Sequence, residues 1–205
     1  MSYQIKIPSY TCGGEGCIEN VPAIIEKEHA KKIMVFTDKG IRSTGLLDGL
    51  TKILDETAAE YKIFDDLTPE PAYQDVERVM DEAAQYEGDF IIAIGGGSVM
   101  DAAKLCSVLK GASYTVKDLL KDPAIAEKQI KTLMIPTTCG TGSEATCNAI
   151  VAIPEEQSKK GIVNDNMIPD YVFLDSQMIR KLPKAIIAAT GVDALAHVVE
   201  SNTIF

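Results

Sequence analysis

Three stretches of this 205-residue sequence place chemically useful side chains at informative spacings. Gly95-Gly96-Gly97-Ser98 follows the apolar run from Asp89 to Ile94 and precedes a stretch of helical periodicity. At such a strand-to-helix turn, bare backbone N–H groups and the positive helix end can cradle a pyrophosphate. A plain turn rarely needs three glycines, so phosphate binding is favoured over a tight β-to-α turn. In either case Ser98 is expected to cap the helix, with Asp101 at its third position. The second stretch, Pro136-Thr137-Thr138-Cys139-Gly140-Thr141-Gly142-Ser143-Glu144, gathers hydroxyls suited to phosphate, ribose or carboxamide groups, although turns use the same residues. In the third, Asp193 and His197 stand four apart on a helical pattern and project from one face. That spacing supplies two ligands to one divalent metal, or else a hydrogen-bonded helix pair.

Two further groups belong beside these. Asp38 ends an earlier strand and could accept both hydroxyls of an adenosine ribose while repelling the 2′-phosphate of NADP; a turn or helix cap is the alternative. It precedes the glycines, whereas the usual dinucleotide fingerprint has its acid about twenty residues after them. Lys104, three residues from Asp101, reads as a surface ion pair on one helix face. His29 lies in the charged run Glu26 to Lys31 and reads as a solvated side chain. Cys12 and Cys17 bracket a glycine turn at a spacing that suits ordinary thiols better than half a metal site.

The elements that must position these groups follow from hydrophobic periodicity. Short runs rich in Ile, Val and Phe alternate with longer helical patterns, the appearance of repeated β-α units. Strands are expected at Ile33 to Phe36, Tyr61 to Phe64, Asp89 to Ile94, Thr132 to Ile135, Asn148 to Ile153 and Tyr171 to Leu174. Helices are expected from Thr44 to Ala59, with Leu46, Leu47, Leu50 and Leu54 inward, around Val76 to Ala83 after the loop from Pro69 to Pro71, and from Met100 to Lys110. A charged turn is expected around Glu155 to Lys160. From Lys184 the pattern stays helical. The fold class is therefore α/β, a mainly parallel Rossmann-like sheet flanked by helices, followed by the first part of an all-helical domain.

With 46% apolar and 24% charged residues the composition is that of a globular protein. The net charge of -10 argues against nucleic acid or an anionic membrane as partner. No run reaches the roughly 20 apolar residues of a membrane helix, the N-terminus lacks signal-peptide order, and five unevenly spaced cysteines suit reduced thiols. A cytoplasmic location is expected, and a homodimer is left open.

In this order, Gly95-Gly96-Gly97-Ser98-Val99-Met100-Asp101-Ala102-Ala103-Lys104, then Pro136 to Glu144, then Gly191-Val192-Asp193-Ala194-Leu195-Ala196-His197 resemble the iron-containing (group III) alcohol dehydrogenases. The resemblance covers the whole chain, including Asp38 and the Leu182-Pro183 step. It implies an oxidoreductase moving hydride between NAD(H) and a small primary alcohol or aldehyde, with Fe²⁺ or another divalent ion such as Zn²⁺ as Lewis acid. It places Asp38 at the adenosine ribose, Gly96, Gly97 and Ser98 at the pyrophosphate, and Thr137, Thr138, Ser143 and Thr146 at other parts of the cofactor, with Asp101 in the same group. Lys159 matches a cofactor-contacting lysine by its distance to Pro169, with Lys160 as the alternative. Glu70 is a departure, since the family often has asparagine there.

Asp193 and His197 match the first two of four metal ligands, which also makes them the catalytic pair; the other two are downstream histidines. A dinucleotide-binding domain over 1-182 and the start of a truncated helical metal-binding domain over 183-205 are implied, with Val192, Leu195, Val198, Val199, Ile204 and Phe205 awaiting cover. Two rivals are a dehydroquinate-synthase-like NAD-dependent lyase, whose glycine loop differs after the third glycine, and a non-catalytic nucleotide-binding fragment. One carboxylate and one imidazole seldom hold a divalent ion firmly against water. Anaerobic titration of this chain with Fe²⁺ or Zn²⁺ should therefore show weak binding, with little or no turnover of short alcohols. Tight stoichiometric binding would mean that other side chains complete the site.

Overall fold

The computed structural model describes residues 4–68, 70–180 and 182–203. Pro69, Ile204 and Phe205, singled out above, lie outside the described residues. In chain order the elements are β1 (Tyr10–Gly13), α1 (Val21–Glu28), β2 (Lys32–Phe36), α2 (Lys39–Ser43), α3 (Leu46–Asp55), β3 (Glu60–Phe64), α4 (Tyr73–Gln85), β4 (Phe90–Gly95), α5 (Gly97–Leu109), α6 (Val116–Lys121), β5 (Lys131–Pro136), β6 (Asn148–Ile153), β7 (Ser158–Val163), β8 (Tyr171–Leu174) and α7 (Lys184–Thr203). Six strands form one sheet in the order β1-β8-β5-β4-β2-β3, and every pairing is parallel. The β6 and β7 strands form a separate antiparallel hairpin.

The parallel sheet follows from its apolar strands, which are buried on both faces. Because side chains alternate across a strand, Ile33, Val35, Ile92 and Ile94 pack with α1 and α3 on one side. Met34, Phe36, Ile91 and Ala93 pack with α4 and α5 on the other. The apolar face expected for α3 is confirmed, since Leu46, Leu47, Leu50 and Leu54 are all buried. That helix is shorter than the periodicity suggests. Gly45, at a φ of 73°, separates it from α2, and the chain turns after Asp55.

A third layer was not legible. The β6–β7 hairpin and α6 cover the far side of α5, joining Leu105 and Val108 to Val116, Leu119, Ala149, Val151 and Ile162. Part of the expected charged turn, from Ser158 onward, is strand β7. Its side chains are exposed at all but one position and give no alternation to read. The first strand is similarly short and largely exposed at the sheet edge.

That edge is tied down by a buried carboxylate. Asp175, just after β8, accepts N–H groups from Gly16 at 3.1 Å, Ile18 at 3.2 Å and Gln177 at 2.9 Å. Asp175→Ala should destabilise the fold by about 2–3 kcal/mol, the scale for stranding buried donors. Amide exchange should quicken first at Gly16 and Ile18. Urea denaturation with an unchanged midpoint would show that the β1 edge does not depend on this carboxylate.

Candidate active site

The chain runs from β2 outward to β3, then recrosses to place β4 on the other side of β2. From the adjacent carboxyl ends of β2 and β4 it departs to opposite faces, towards α3 and towards α5. Open α/β sheets bind ligands in the crevice at such a switch point. Asp38 follows β2, Gly96 and Gly97 follow β4, and Thr137 and Thr138 follow β5, so all five lie along the same sheet edge.

The turn after β4 is built for close approach. A Cβ on Gly95 would lie 2.7 Å from Val99, and one on Gly97 would lie 3.1 Å from Thr141. Two of the glycines thus seat helix α5 and the hydroxyl loop, while Gly96 would only touch Thr138 Oγ1 at 3.5 Å. Helix α5 starts at Gly97 with Gly96 as its cap, and no side chain caps it. This corrects the expected role of Ser98. The helix opens two residues earlier than a serine cap requires, and Ser98 Oγ instead accepts the Glu70 N–H at 3.2 Å. The first-turn N–H groups and the positive end of a 13-residue helix therefore point to the crevice with no carboxylate or hydroxyl of the protein capping them.

Beside this turn a cavity of about 260 Å³ is lined by Gly97, Ser98, Asp101, Ser143, Thr146 and Lys159, together with Glu70, Pro71, Thr141 and hairpin residues Asn148, Ile150 and Ala152. The Asn148 to Ile153 strand is expected from the sequence, but its pairing with β7 into a separate hairpin is not. A second cavity of about 320 Å³ is lined by Pro136, Thr138, Cys139, Gly140 and Glu144, with Asp175 beneath. Asp38 lines neither cavity, and Thr137 is fully buried.

The Lys104 and Asp101 pair is not on the surface, contrary to expectation. Helix α5 is covered on both sides, and Lys104 is fully buried. Its Nζ lies 3.0 Å from Asp101 Oδ1 and donates to Asn148 O at 2.5 Å and Thr146 Oγ1 at 3.3 Å. Asp101 also accepts the Ser143 hydroxyl and, at 3.0 Å, the Ile150 N–H. Burial pushes the Lys104 ammonium below the usual lysine range, against the opposing pull of Asp101. This network fixes Ser143 and Thr146, so Asp101 acts on the cavity wall through its neighbours rather than as a helix cap.

Asp38 caps α2, its Oδ1 accepting the Ile41 N–H at 2.8 Å. The nearby cations are already engaged, Lys39 by Asp66 at 2.7 Å and Arg42 by Asp65. On α7, His197 Nε2 lies 3.7 Å from Asp193 Oδ1, and both side chains are exposed. Their helix reaches the hydroxyl loop at Gly140, whose φ is 111°. A Cβ there would meet Asp193 Oδ2 and Thr190 O at 2.6 Å. Among the described residues no group of three or more His, Cys, Asp or Glu could hold a metal ion.

The sequence matches the family profile of iron-containing alcohol dehydrogenases over residues 8–176. The chain belongs to this family. Membership decides against the dehydroquinate-synthase-like alternative. Among the relatives is long-chain-alcohol dehydrogenase 1 of Geobacillus thermodenitrificans, 32% identical over 97% of this chain and 50% of that protein. An iron-containing alcohol dehydrogenase from Thermotoga maritima is 34% identical over 97% of this chain and 55% of its own, with a TM-score of 0.87. A sulfoacetaldehyde reductase from Bifidobacterium kashiwanohense, solved with NAD⁺, is 27% identical over 94% of this chain and 51% of its own, with a TM-score of 0.85. The chain spans about half the length of the relatives it matches. No helix among the described residues is long and apolar enough to cross a membrane.

The buried network makes a direct demand on stability. Lys104→Met should cost about 3–5 kcal/mol in urea denaturation, because it strands Asp101 without its counter-ion. A loss below about 1 kcal/mol would mean that Ser143 and Ile150 satisfy the carboxylate on their own.

Proposed function

We propose that this chain binds NAD(H) along the carboxyl edge of its sheet and serves an oxidoreductase that interconverts a small primary alcohol and its aldehyde. The observation that carries the reading is the uncapped N-terminus of α5 at the switch point, between two strands that each end in an orphaned hydroxyl. Thr37 Oγ1 after β2 and Thr137 Oγ1 after β5 are buried without a hydrogen-bond partner. Buried polar atoms are seldom left so, and ligand groups lying over the strand ends would satisfy them. The residues therefore fit a dinucleotide. The N–H groups of Gly97 and Ser98 would meet the pyrophosphate, with Ser143, Thr146 and Lys159 around the adjoining groups and Asp38 at the adenosine ribose. The NAD⁺ complex of the sulfoacetaldehyde reductase supports the same cofactor class.

When bound, the nicotinamide supplies the hydride acceptor, and a divalent ion, iron by family, supplies Lewis-acid polarisation of the alcohol oxygen. Asp193 and His197 would hold such an ion. A carboxylate and an imidazole one helical turn apart suit it chemically and provide part of a ligand set. Gly140 brings their helix against the hydroxyl loop, so this chain's own part of the chemistry is to hold cofactor and metal donors side by side. A cytoplasmic setting is proposed with this reading, supported by five free thiols.

NAD is preferred over NADP in this reading because the Asp38 carboxylate would face the extra phosphate, while Lys39 and Arg42 are paired to Asp66 and Asp65. Calorimetric titration should show NADH binding more tightly than NADPH. Asp38→Gly should tighten NADPH by roughly tenfold, the equivalent of about 1.4 kcal/mol of relieved repulsion. Glycine is tolerated at a helix cap for a few tenths of a kcal/mol, so the variant should fold. An unchanged NADPH dissociation constant would remove Asp38 from the ribose site.

A further inference from the structure

The smaller cavity carries an ion pair whose acid, Glu70, has no part in the reading above. Lys159 Nζ lies 2.6 Å from Glu70 Oε1, and both residues line the cavity. Lys159 is the one cation among the described lining residues. Each partner is anchored to a rigid wall. The Glu70 N–H donates to Ser98 Oγ on the first turn of α5. The following residues are stitched to the hairpin that carries Lys159, with Ala152 N–H donating to Pro71 O at 3.0 Å and the Tyr73 hydroxyl donating to Glu155 Oε1 at 2.8 Å. Glu70 is held at a φ of 54°, a left-handed conformation that non-glycine residues seldom adopt. Stability gives no reason for this arrangement. The side chains are 51% and 68% exposed, and exposed pairs add little to folding.

We propose that Glu70 is a displaceable counter-ion for Lys159, occupying the anion seat of the ammonium until the pyrophosphate of a dinucleotide takes it. This rests on the dinucleotide reading. A pyrophosphate at the N-terminus of α5 brings two negative charges towards the same rim, and Glu70, if it stayed, would face them at close range. Because the pair is solvent-accessible, the carboxylate can swing into water and release Lys159 to the phosphates. The exchange lowers cofactor affinity and speeds cofactor release, a useful property where departure of the product cofactor limits turnover.

NADH fluorescence titration and stopped-flow displacement on the wild-type chain, Glu70→Gln, Lys159→Met and the double variant test this. Glu70→Gln should bind NADH roughly 1.5- to 5-fold more tightly, the range spanned by an exposed ion pair, with the gain appearing as slower release. Lys159→Met should bind more weakly, and adding Glu70→Gln to it should restore nothing. Inorganic pyrophosphate as competitor should follow the same order. Unchanged affinity in Glu70→Gln overturns the counter-ion role. An equal gain in the Lys159→Met background overturns it too, since the carboxylate would then act by repulsion alone. Absence of NADH binding by all four proteins overturns the dinucleotide reading itself, a pattern distinct from equal binding by all four. Equal urea midpoints for wild type and Glu70→Gln confirm that the comparison is between folded proteins.

Discussion

The arrangement depends on one buried ammonium. Lys104 is fully buried on α5, and its ammonium is met by the Asp101 carboxylate and by acceptors of Thr146 and Asn148. An uncompensated charge in that position would be prohibitive. The hydroxyl loop and the start of β6 must therefore approach α5 closely enough to supply those acceptors. Asp101 does the complementary task, taking the Ser143 hydroxyl and the Ile150 N–H. One helix thus fixes, through two charged side chains, the cavity wall opposite its own N-terminus. Precision at the site comes from burial, because a surface pair at this spacing would be screened and mobile.

The same burial explains what the sequence reveals and what it hides. The strands of the sheet are continuous apolar runs, and the helices α3 and α4 carry clear one-sided patterns, so the parallel α/β architecture can be read directly. Glycines between a buried strand and a helix mark the turn after β4 for the same reason. Asp101 and Lys104 read as surface residues because charged residues three apart on a helix usually are. Only the hairpin layer, assembled from distant sequence, turns that face inward. The hairpin leaves a weak trace, since β7 shows no alternation. The misplaced cap at Ser98 has a local cause: the strand ends at Gly95, and Gly96 in extended backbone takes the cap position two residues before the serine, so the hydroxyl finds Glu70 instead.

The candidate site contains two physically different halves. On the proposed cofactor side, backbone N–H groups and threonine hydroxyls are fixed to strand ends whose side chains are buried in two apolar layers, so the donors are already placed for a ligand. On the other side, Asp193 and His197, the proposed metal donors, ride on α7, where Ile186, Ile187, Val192, Leu195, Val198 and Val199 are exposed by 42–65%. A helix apolar around its circumference is stable in water only when covered. Helix α7 approaches the hydroxyl loop closely at Gly140, where the absence of a side chain and a left-handed backbone let Asp193 and Thr190 settle onto that loop. Any larger residue there would have to push the helix outward and carry Asp193 and His197 with it. The spacing between the hydroxyl loop and Asp193 is thus set by a missing methyl group, just as the seating of α5 against the strand is set by its absence at Gly95.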